Sequence, residues 1–219
     1  MRTVLLVPRR ADGGWRDRVW ARLREDFWPQ LGVAVVEGHH DDGPFNRAAA
    51  LNAAAGLAGE WDLAVVADAD VVVEPDSVRR AISAAAQTGG GLVFAHDCWL
   101  NLSQRDAQDI LDGDDLRTVL ARGGFTSRTP VVSGVFVVTR GLWDAVGGFD
   151  EAFVGYGGED HAFYRACSLV QAVRHIPGAL WHVWHPRPDQ AGPWVPRNVA
   201  RMEQYARAET LVELSWLRS

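Results

Sequence analysis

Lysine is absent from this chain of 219 residues, whose 22 basic side chains are all arginine, against 28 acidic ones. The formal net charge of −6 removes any general attraction to nucleic acid or to an anionic membrane. The only two cysteines, Cys98 and Cys167, are too few for a disulfide framework. No apolar run approaches the roughly 18 residues of a membrane span, and the first run is too short for a signal peptide. We therefore expect a soluble, cytoplasmic protein with no membrane partner.

Short apolar runs alternate with amphipathic stretches along the first half of the chain. Strands are predicted at residues 3–7, 33–37, 63–67 and 91–95, and helices at 15–28, 45–58 and 75–87. In the second half we predict extended segments at 131–139 and 175–184, helices at 102–121, 141–146, 159–172 and 197–214, and a loop at 185–196. This order predicts an α/β fold with a mostly parallel central sheet and helices on both faces.

The segment from Gly147 to Asp160 has five glycines in fourteen residues and ends in an acid pair. Glycine at this density weakens both helices and strands but lets backbone approach a ligand closely. Glu159 and Asp160 open a predicted helix, where the helix dipole favours acids. That structural explanation accounts better for one acid than for two. An acid beside the aromatic Tyr156 also suits a general base for a sugar hydroxyl.

Two further groups could bind a metal ion. Asp68 and Asp70 follow a buried strand, and because residues i and i+2 of a strand point the same way, both carboxylates could face one cation. His182 and His185 can converge on one ion if the chain bends between them, and mixed His and Asp ligation favours manganese over magnesium. The structural alternatives are a polar turn for the aspartates and a pair of interfacial histidines.

Arg47, in the run Phe45-Asn46-Arg47, is the remaining polar candidate. Its planar guanidinium could bind a carboxylate or a phosphate. The alternative is that the run is simply a helix start, with Asn46 as the N-cap.

Taken together and in this order, the motifs resemble the catalytic domain of β-1,4-galactosyltransferase-like enzymes, which are GT-A-fold glycosyltransferases. The glycine-rich segment also resembles those of chondroitin-polymerising and polypeptide N-acetylgalactosaminyltransferase enzymes. The matching motifs are Val7-Pro8-Arg9-Arg10, Phe45-Asn46-Arg47-Ala48, Asp68-Ala69-Asp70, Ser133-Gly134-Val135 and Gly147 to Asp160. The resemblance spans roughly residues 3–190. It implies a single GT-A domain with a nucleotide-sugar half (1–100), an acceptor half (101–196) that adds a smaller subregion, and a C-terminal helix (197–219).

The resemblance also implies roles for individual residues. Asp160 would be the catalytic base and Glu159 would bind sugar hydroxyls. Asp70, His182 and His185 would hold Mn²⁺ (or Mg²⁺). The residues implied to lie around the nucleotide sugar are Pro8, Arg9, Arg10, Arg47, Asp68, Gly134, Tyr156, Gly157 and Gly158.

The activity implied is transfer of a sugar, with inversion, from a nucleoside-diphosphate sugar to an acceptor hydroxyl. Retaining relatives tend to carry Glu-Asn where this chain has Glu159-Asp160, which favours inversion. A UDP-sugar is the expected donor. The acceptor stays open among a glycan, a protein, a lipid-linked sugar and a modified nucleobase, and the oligomeric state is not predicted. Val131 and Tyr156 replace aromatic residues of the family, which leaves galactose specificity open. The missing anchor and stem favour a bacterial or phage setting.

Two alternatives belong to other classes. Asp68-Ala69-Asp70 after an apolar strand also fits a haloacid-dehalogenase-type phosphatase with Asp68 as nucleophile, although that class needs a downstream lysine or an equivalent cation. A non-catalytic sugar-nucleotide-binding module would keep the metal ligands but would need no base at Asp160.

Overall fold

The computed structural model describes residues 1–87, 90–126, 132–186 and 192–218. The strands are β1 (Thr3–Arg9), β2 (Ala34–His39), β3 (Leu63–Ala67), β4 (Val71–Val73), β5 (Leu92–Phe94), β6 (Cys98–Asn101), β7 (Phe125–Thr126), β8 (Val135–Thr139), β9 (Arg174–His175) and β10 (Ala179–His182). The helices are α1 (Trp15–Asp26), α2 (Arg47–Leu57), α3 (Pro75–Ala85), α4 (Gln104–Asp112), α5 (Leu116–Leu120), α6 (Arg140–Val146), α7 (Glu159–Val170), α8 (Val195–Arg207) and α9 (Leu211–Arg218).

The main sheet has six strands in the order β2-β1-β3-β8-β5-β9. β1 pairs in parallel with β2 and β3, whereas β8 is antiparallel to both of its neighbours. β5 and β9 are again parallel, so five strands share one direction and β8 opposes them. All five residues of β3 are buried, as expected for a continuous apolar run covered on both faces. The predicted mostly parallel sheet is confirmed.

Helices cover both faces of this sheet, as predicted. On β1, Leu5 and Val7 point into one core, which α1, α3 and α4 complete. Val4 and Leu6 point into the other core, which α2, α6 and α7 close with residues of α8 and α9. Side chains alternate between the faces of a strand, so one strand supplies both cores.

A second sheet has four strands in the order β4-β10-β6-β7. The strand predictions missed β4, β6 and β7. β10 is antiparallel to β4 and parallel to β6. This second sheet is the smaller subregion that was expected. Its association with an acceptor stays a prediction. The pairing of β10 with β4 has a direct consequence for the site, because it sets His182 opposite Val71, the residue after Asp70.

Some boundaries differ from those expected. The predicted helix at 102–121 is two helices, because a capping box of Ser103 and Asp106 starts α4 and Gly113, at φ 102°, ends it. The predicted helix at 197–214 also divides, since Ala208 is extended between α8 and α9. Val131 and much of the expected loop at 185–196 lie outside the described residues. Among the described helices, none combines the length and apolarity needed to cross a bilayer.

Candidate functional site

A candidate metal site forms where β4 and β10 pair. Asp70 Oδ2 lies 3.1 Å from His185 Nε2, and Asp70 Oδ1 lies 3.9 Å from His182 Nε2. The ligand atoms of the three residues all lie within 4.8 Å of one another. One carboxylate and two imidazoles converging in this way fit a divalent transition metal. The chain does bend after His182, so the two histidines meet as the metal hypothesis required.

The pKa values of Asp70 and His182 favour the protonation states that bind a metal ion. Burial alone would raise the pKa of Asp70, but a hydrogen bond from His185 and the charges of His182, His185 and Arg16 hold it at about 2. Burial lowers the pKa of His182, which favours the neutral ring that a metal ligand must have. His185 Nδ1 lies 2.8 Å from the carbonyl oxygen of Pro186, an acceptor. The proton of a neutral ring is therefore on Nδ1, and Nε2 is left as the ligand atom.

Asp68 does not share this site. β3 ends at Ala67 and the next residues form a turn, so strand alternation does not hold across Asp68 and Asp70. The carboxylate of Asp68 instead binds Arg47, whose Nε and Nη2 each lie 2.7 Å from Asp68 Oδ1. Asp68 therefore belongs to a second polar cluster, although it lies only two residues before Asp70 in the chain.

Arg47 is the centre of that cluster. Its Nη1 donates to Asp160 Oδ1 at 2.6 Å and lies 3.6 Å from Glu159 Oε1. Burial by itself would lower the pKa of Arg47, but the attraction of Asp160, Asp68 and Glu159 outweighs it and the pKa is raised. One buried cation thus faces three carboxylates. The sequence had left Arg47 open between ligand binding and a plain helix start, and the structure shows it binding acids across the fold.

Asp160 is the carboxylate in this cluster with the strongest signs of a catalytic environment. It lies in the first turn of α7, and its side chain is 18% exposed. Burial raises the pKa of Asp160 well above its ordinary value, and the nearby charges of Glu159 and Asp68 add to that rise against the opposing effect of Arg47. A carboxylate with a raised pKa is a stronger base once it is ionised. Perturbed groups of this kind concentrate at functional sites.

Side chains from two helices of the chain hold the irregular backbone that leads to Asp160. Asn46 caps α2 by accepting from Ala49 N at 2.9 Å, and it also donates to the carbonyl oxygen of Glu151 at 2.7 Å. From α8, Asn198 donates to the carbonyl oxygens of Val154 and Tyr156 at 2.9 and 3.1 Å. The glycine-rich segment is therefore fixed in place, although few of its residues lie in regular structure.

The start of that segment is tied to the C-terminal helices. Arg218, in α9, donates to the carbonyl oxygens of Val146, Gly147 and Gly148. Asp150 is 6% exposed and accepts from Arg201 Nε at 2.6 Å and from the hydroxyl of Tyr205 at 2.8 Å. Sequence reasoning missed Asn198, Arg201 and Arg218, because these contacts join residues far apart in the chain with no local pattern.

Gly157 and Gly158 offer a matched pair of substitutions. Both have positive φ, at 86° and 102°, so alanine at either position strains the backbone. A Cβ at Gly157 would meet open space, whereas one at Gly158 would lie 2.7 Å from Cε1 of Phe153, whose ring is buried. We expect Gly158→Ala to lower the free energy of unfolding by about 1–3 kcal/mol more than Gly157→Ala, the usual range for overpacking. Urea unfolding of the two variants measures the difference, and equal losses would show that Phe153 yields.

Pro8, Arg9 and Arg10, which were expected near the nucleotide, lie at and after the end of β1. Arg9 lies between Asp17, at 2.7 Å, and Glu37, at 3.6 Å, and Arg10 donates to backbone carbonyl oxygens of the 41–43 loop. Pro8 pairs with Gly38 within the sheet. These contacts do not join the Arg47 cluster.

Gly134 and Tyr156 lie closer to the residues already described. Gly134 has a φ of 90° and its carbonyl oxygen accepts from Asp68 N at 3.2 Å. A Cβ there would lie 2.4 Å from Leu180 Cδ1, so only glycine fits. Tyr156 is 50% exposed beside the helix that carries Asp160. Arg16, which was not predicted, reaches the metal site, with its Nε 3.6 Å from Asp70 Oδ2.

The chain has the GT-A glycosyltransferase fold. Solved structures with this fold match nearly its whole length. The catalytic domain of Drosophila β1,4-galactosyltransferase 7 in complex with xylobiose matches with a TM-score of 0.63 and 16% identity over 96% of this chain and 83% of that one. A variant of that enzyme solved with manganese, UDP-Gal and xylobiose has a TM-score of 0.64 and 15% identity over 97% and 84%. A Pyrobaculum calidifontis mannosyltransferase bound to GDP-Man and Mn²⁺ has a TM-score of 0.54 and 15% identity over 99% and 69%.

At the level of sequence, the similarity is to galactosyltransferases. Residues 123–172 match the family model described as the N-terminal domain of galactosyltransferase. This match includes the glycine-rich segment and all of α7, the part of the chain that carries Glu159 and Asp160. No curated protein sequence matches the chain significantly. The resemblance stated from the motifs is thus confirmed for the fold and for this segment.

Proposed function

We propose that the protein is a metal-dependent, inverting glycosyltransferase that moves a sugar from a nucleoside-diphosphate sugar, with a UDP-sugar as the expected donor, to an acceptor hydroxyl. One observation carries the proposal. Arg47 binds Asp160 on one side and, on the other, Asp68, which lies two residues from the metal-site carboxylate of Asp70. The candidate base therefore shares a buried cation with Asp68, the residue two positions before the metal-site carboxylate. The structural neighbours with manganese and UDP-Gal or GDP-Man support the same reaction class.

Asp70, His182 and His185 would hold the cation, and their mutual distances fit one ion. When bound, such an ion supplies Lewis-acid stabilisation of the negative charge on the departing nucleoside diphosphate. Manganese is the proposed ion because two imidazoles accompany a single carboxylate.

The residues of α7 would perform the transfer. Ionised Asp160 accepts the proton of the acceptor hydroxyl as that oxygen bonds to the anomeric carbon. The bond from this carbon to the phosphate oxygen breaks, and its electron pair leaves with the nucleoside diphosphate. Attack opposite the leaving group inverts the anomeric configuration. Glu159, whose side chain is 10% exposed beside Arg47, would bind sugar hydroxyls. The division into a nucleotide half at 1–100, an acceptor half at 101–196 and a C-terminal part at 197–219 belongs to this proposal.

Metal-dependent donor binding is the experiment that tests the proposal. Wild-type protein is screened by thermal shift against UDP- and GDP-sugars with and without Mn²⁺. A donor present at 100 times its dissociation constant should stabilise the fold by about 2.7 kcal/mol. We expect this stabilisation to require Mn²⁺ and to disappear in Asp70→Asn, which keeps the side-chain shape but removes the ionised ligand.

Asp76→Asn is the matched control, because Asp76 lies in α3 with its side chain 86% exposed. It should respond to donor and Mn²⁺ as the wild type does. Proton NMR of the product formed with a responding donor then reads the anomeric configuration and tests inversion. A retained anomeric configuration would contradict the mechanism. Donor binding that is the same without Mn²⁺ and in Asp70→Asn would also contradict it.

The two alternatives predict different results. A phosphatase would release phosphate from a monoester without Mn²⁺-dependent binding of a nucleotide sugar. It would also need Asp68 as a free nucleophile, whereas Oδ1 of Asp68 accepts a hydrogen bond from Nε of Arg47 and lies 2.7 Å from its Nη2. A binding module would bind the donor but transfer no sugar, and Asp160 would be dispensable.

A further inference from the structure

Arg16 places its guanidinium against two of the three metal-site residues. Its Nε lies 3.6 Å from Asp70 Oδ2 and 3.4 Å from His185 Nε2, and its Nη2 is also 3.4 Å from His185 Nε2. Arg16 belongs to the first turn of α1, more than 160 positions before His185 in the chain. The tertiary fold therefore places the guanidinium of Arg16 beside the metal site.

Arg16 supplies a positive charge beside the carboxylate of Asp70. Asp70 Oδ2 lies 3.6 Å from Arg16 Nε and 3.1 Å from His185 Nε2. The side chain of Asp70 is only 12% exposed, so solvent and salt screen this charge poorly. The guanidinium of Arg16 therefore compensates a nearly buried carboxylate.

The start of α1 is attached to the segment that carries the histidines. The ring of Trp15 packs edge-on against Trp184, with centroids 5.1 Å apart and planes at 85°. This contact holds the backbone of Arg16 beside His185. The side chain of Arg16 itself is 36% exposed, so its guanidinium has room to change partner without movement of the helix.

We infer that Arg16 is a resident counter-ion that couples metal binding to nucleotide binding, an inference that rests on the proposed function. In the metal-free site the guanidinium balances the carboxylate of Asp70. A dication brings two positive charges beside Arg16, so metal binding alone is opposed by repulsion. The diphosphate of a nucleotide sugar then brings two negative charges and accepts the displaced guanidinium. Metal and nucleotide thus bind together more favourably than either binds alone.

Calorimetric titration of Mn²⁺ and of UDP tests this role. Arg16→Met removes the charge and keeps the apolar stem, and Arg16→Gln is a second variant. Arg18→Met is the matched control, since Arg18 is exposed on the same helix and contacts the ring of Trp15. We expect Arg16→Met to bind Mn²⁺ alone about 10-fold more tightly than the wild type, a change of ~1.4 kcal/mol. We expect it to bind UDP in saturating Mn²⁺ about 10-fold more weakly, whereas Arg18→Met should match the wild type in both.

The possible results separate the inference from the proposed function. By thermodynamic linkage, UDP tightens Mn²⁺ binding by the same factor by which Mn²⁺ tightens UDP binding. If Arg16 couples the two ligands, this shared factor falls in both Arg16 variants. Normal Mn²⁺ binding with an unchanged factor would overturn the inference and leave the proposed function standing. Tighter Mn²⁺ binding without weaker UDP binding would overturn the transfer of Arg16 to the phosphates. No Mn²⁺ binding by the wild type or by Arg18→Met would overturn both.

Discussion

Asp160→Asn is expected to lower the rate of sugar transfer by about 100- to 10,000-fold, the range typical for loss of a general base. Asparagine keeps the shape of the side chain and can still accept a hydrogen bond from Arg47, which lies 2.6 Å from Asp160 Oδ1. It cannot accept the proton of an acceptor hydroxyl. We therefore expect the turnover number to fall while donor affinity, measured by thermal shift with Mn²⁺, stays near that of the wild type.

Stability should distinguish this effect from unfolding. The folded-state pKa of Asp160 is raised, so its contribution to the free energy of unfolding is present at low pH and is lost as pH rises through that pKa. At neutral pH the ionised carboxylate therefore destabilises the fold, and neutral asparagine removes this effect. We expect Asp160→Asn to unfold at the same or a higher urea concentration than the wild type. Unchanged turnover would exclude Asp160 as the base, and a large loss of stability would attribute the lost rate to misfolding.

The main sheet could be predicted from the sequence because its strands are apolar runs bounded by turn residues. Residues 63–67 are the clearest case, predicted and found as β3 with the same bounds. β4 and β6 have three and four residues, and all four residues of β6 are only partly buried. Such strands exist through pairing with β10, more than 75 positions later in the chain, and no local pattern records that pairing.

At the metal site, too, the residue types could be predicted from the sequence and their geometry could not. The sequence could nominate His182 and His185 beside Asp70, because the residue types are those of metal ligands. It could not decide whether the chain bends after His182. That is decided by the pairing of β10 with β4 and by the hydrogen bond from Val183 N to the carbonyl oxygen of Asp70, at 2.8 Å.

Asn46 and Arg47 show why alternatives for one motif need not exclude each other. Asn46 caps α2, which is the structural interpretation, and Arg47 binds carboxylates across the fold, which is the functional one. Arg16 could not be singled out, because an arginine in the first turn of an amphipathic helix is ordinary. The tertiary fold brings this arginine to the metal site, where its Nε lies 3.6 Å from Asp70 Oδ2, and Trp15 packs on Trp184 beside it.

Replacement of the central cation should have the largest effect on stability. Arg47→Met removes a positive charge that contacts Asp68, Asp160 and Glu159. Breaking a buried ion pair from one side typically destabilises a protein by about 3–5 kcal/mol, because a buried charge is left without a partner. We expect a loss of this size in urea unfolding at neutral pH. Arg207→Met is the control: the side chain of Arg207 is 79% exposed in its pair with Glu203, and such surface pairs contribute about 0–1 kcal/mol.

The pH dependence of this loss identifies its cause. Without Arg47, the pKa of Asp160 would rise further, because the guanidinium is the group that opposes its increase. The variant's folded state then binds more protons than its unfolded state, so its free energy of unfolding should increase as pH falls from about 8 to about 5. Adding Asp160→Asn to Arg47→Met should restore part of the stability at neutral pH, because it removes one uncompensated charge. A loss that is independent of pH and is not relieved by Asp160→Asn would mean that Arg47 stabilises the fold by packing on Phe149, whose ring centroid lies 5.7 Å from its guanidinium carbon, and not by its charge.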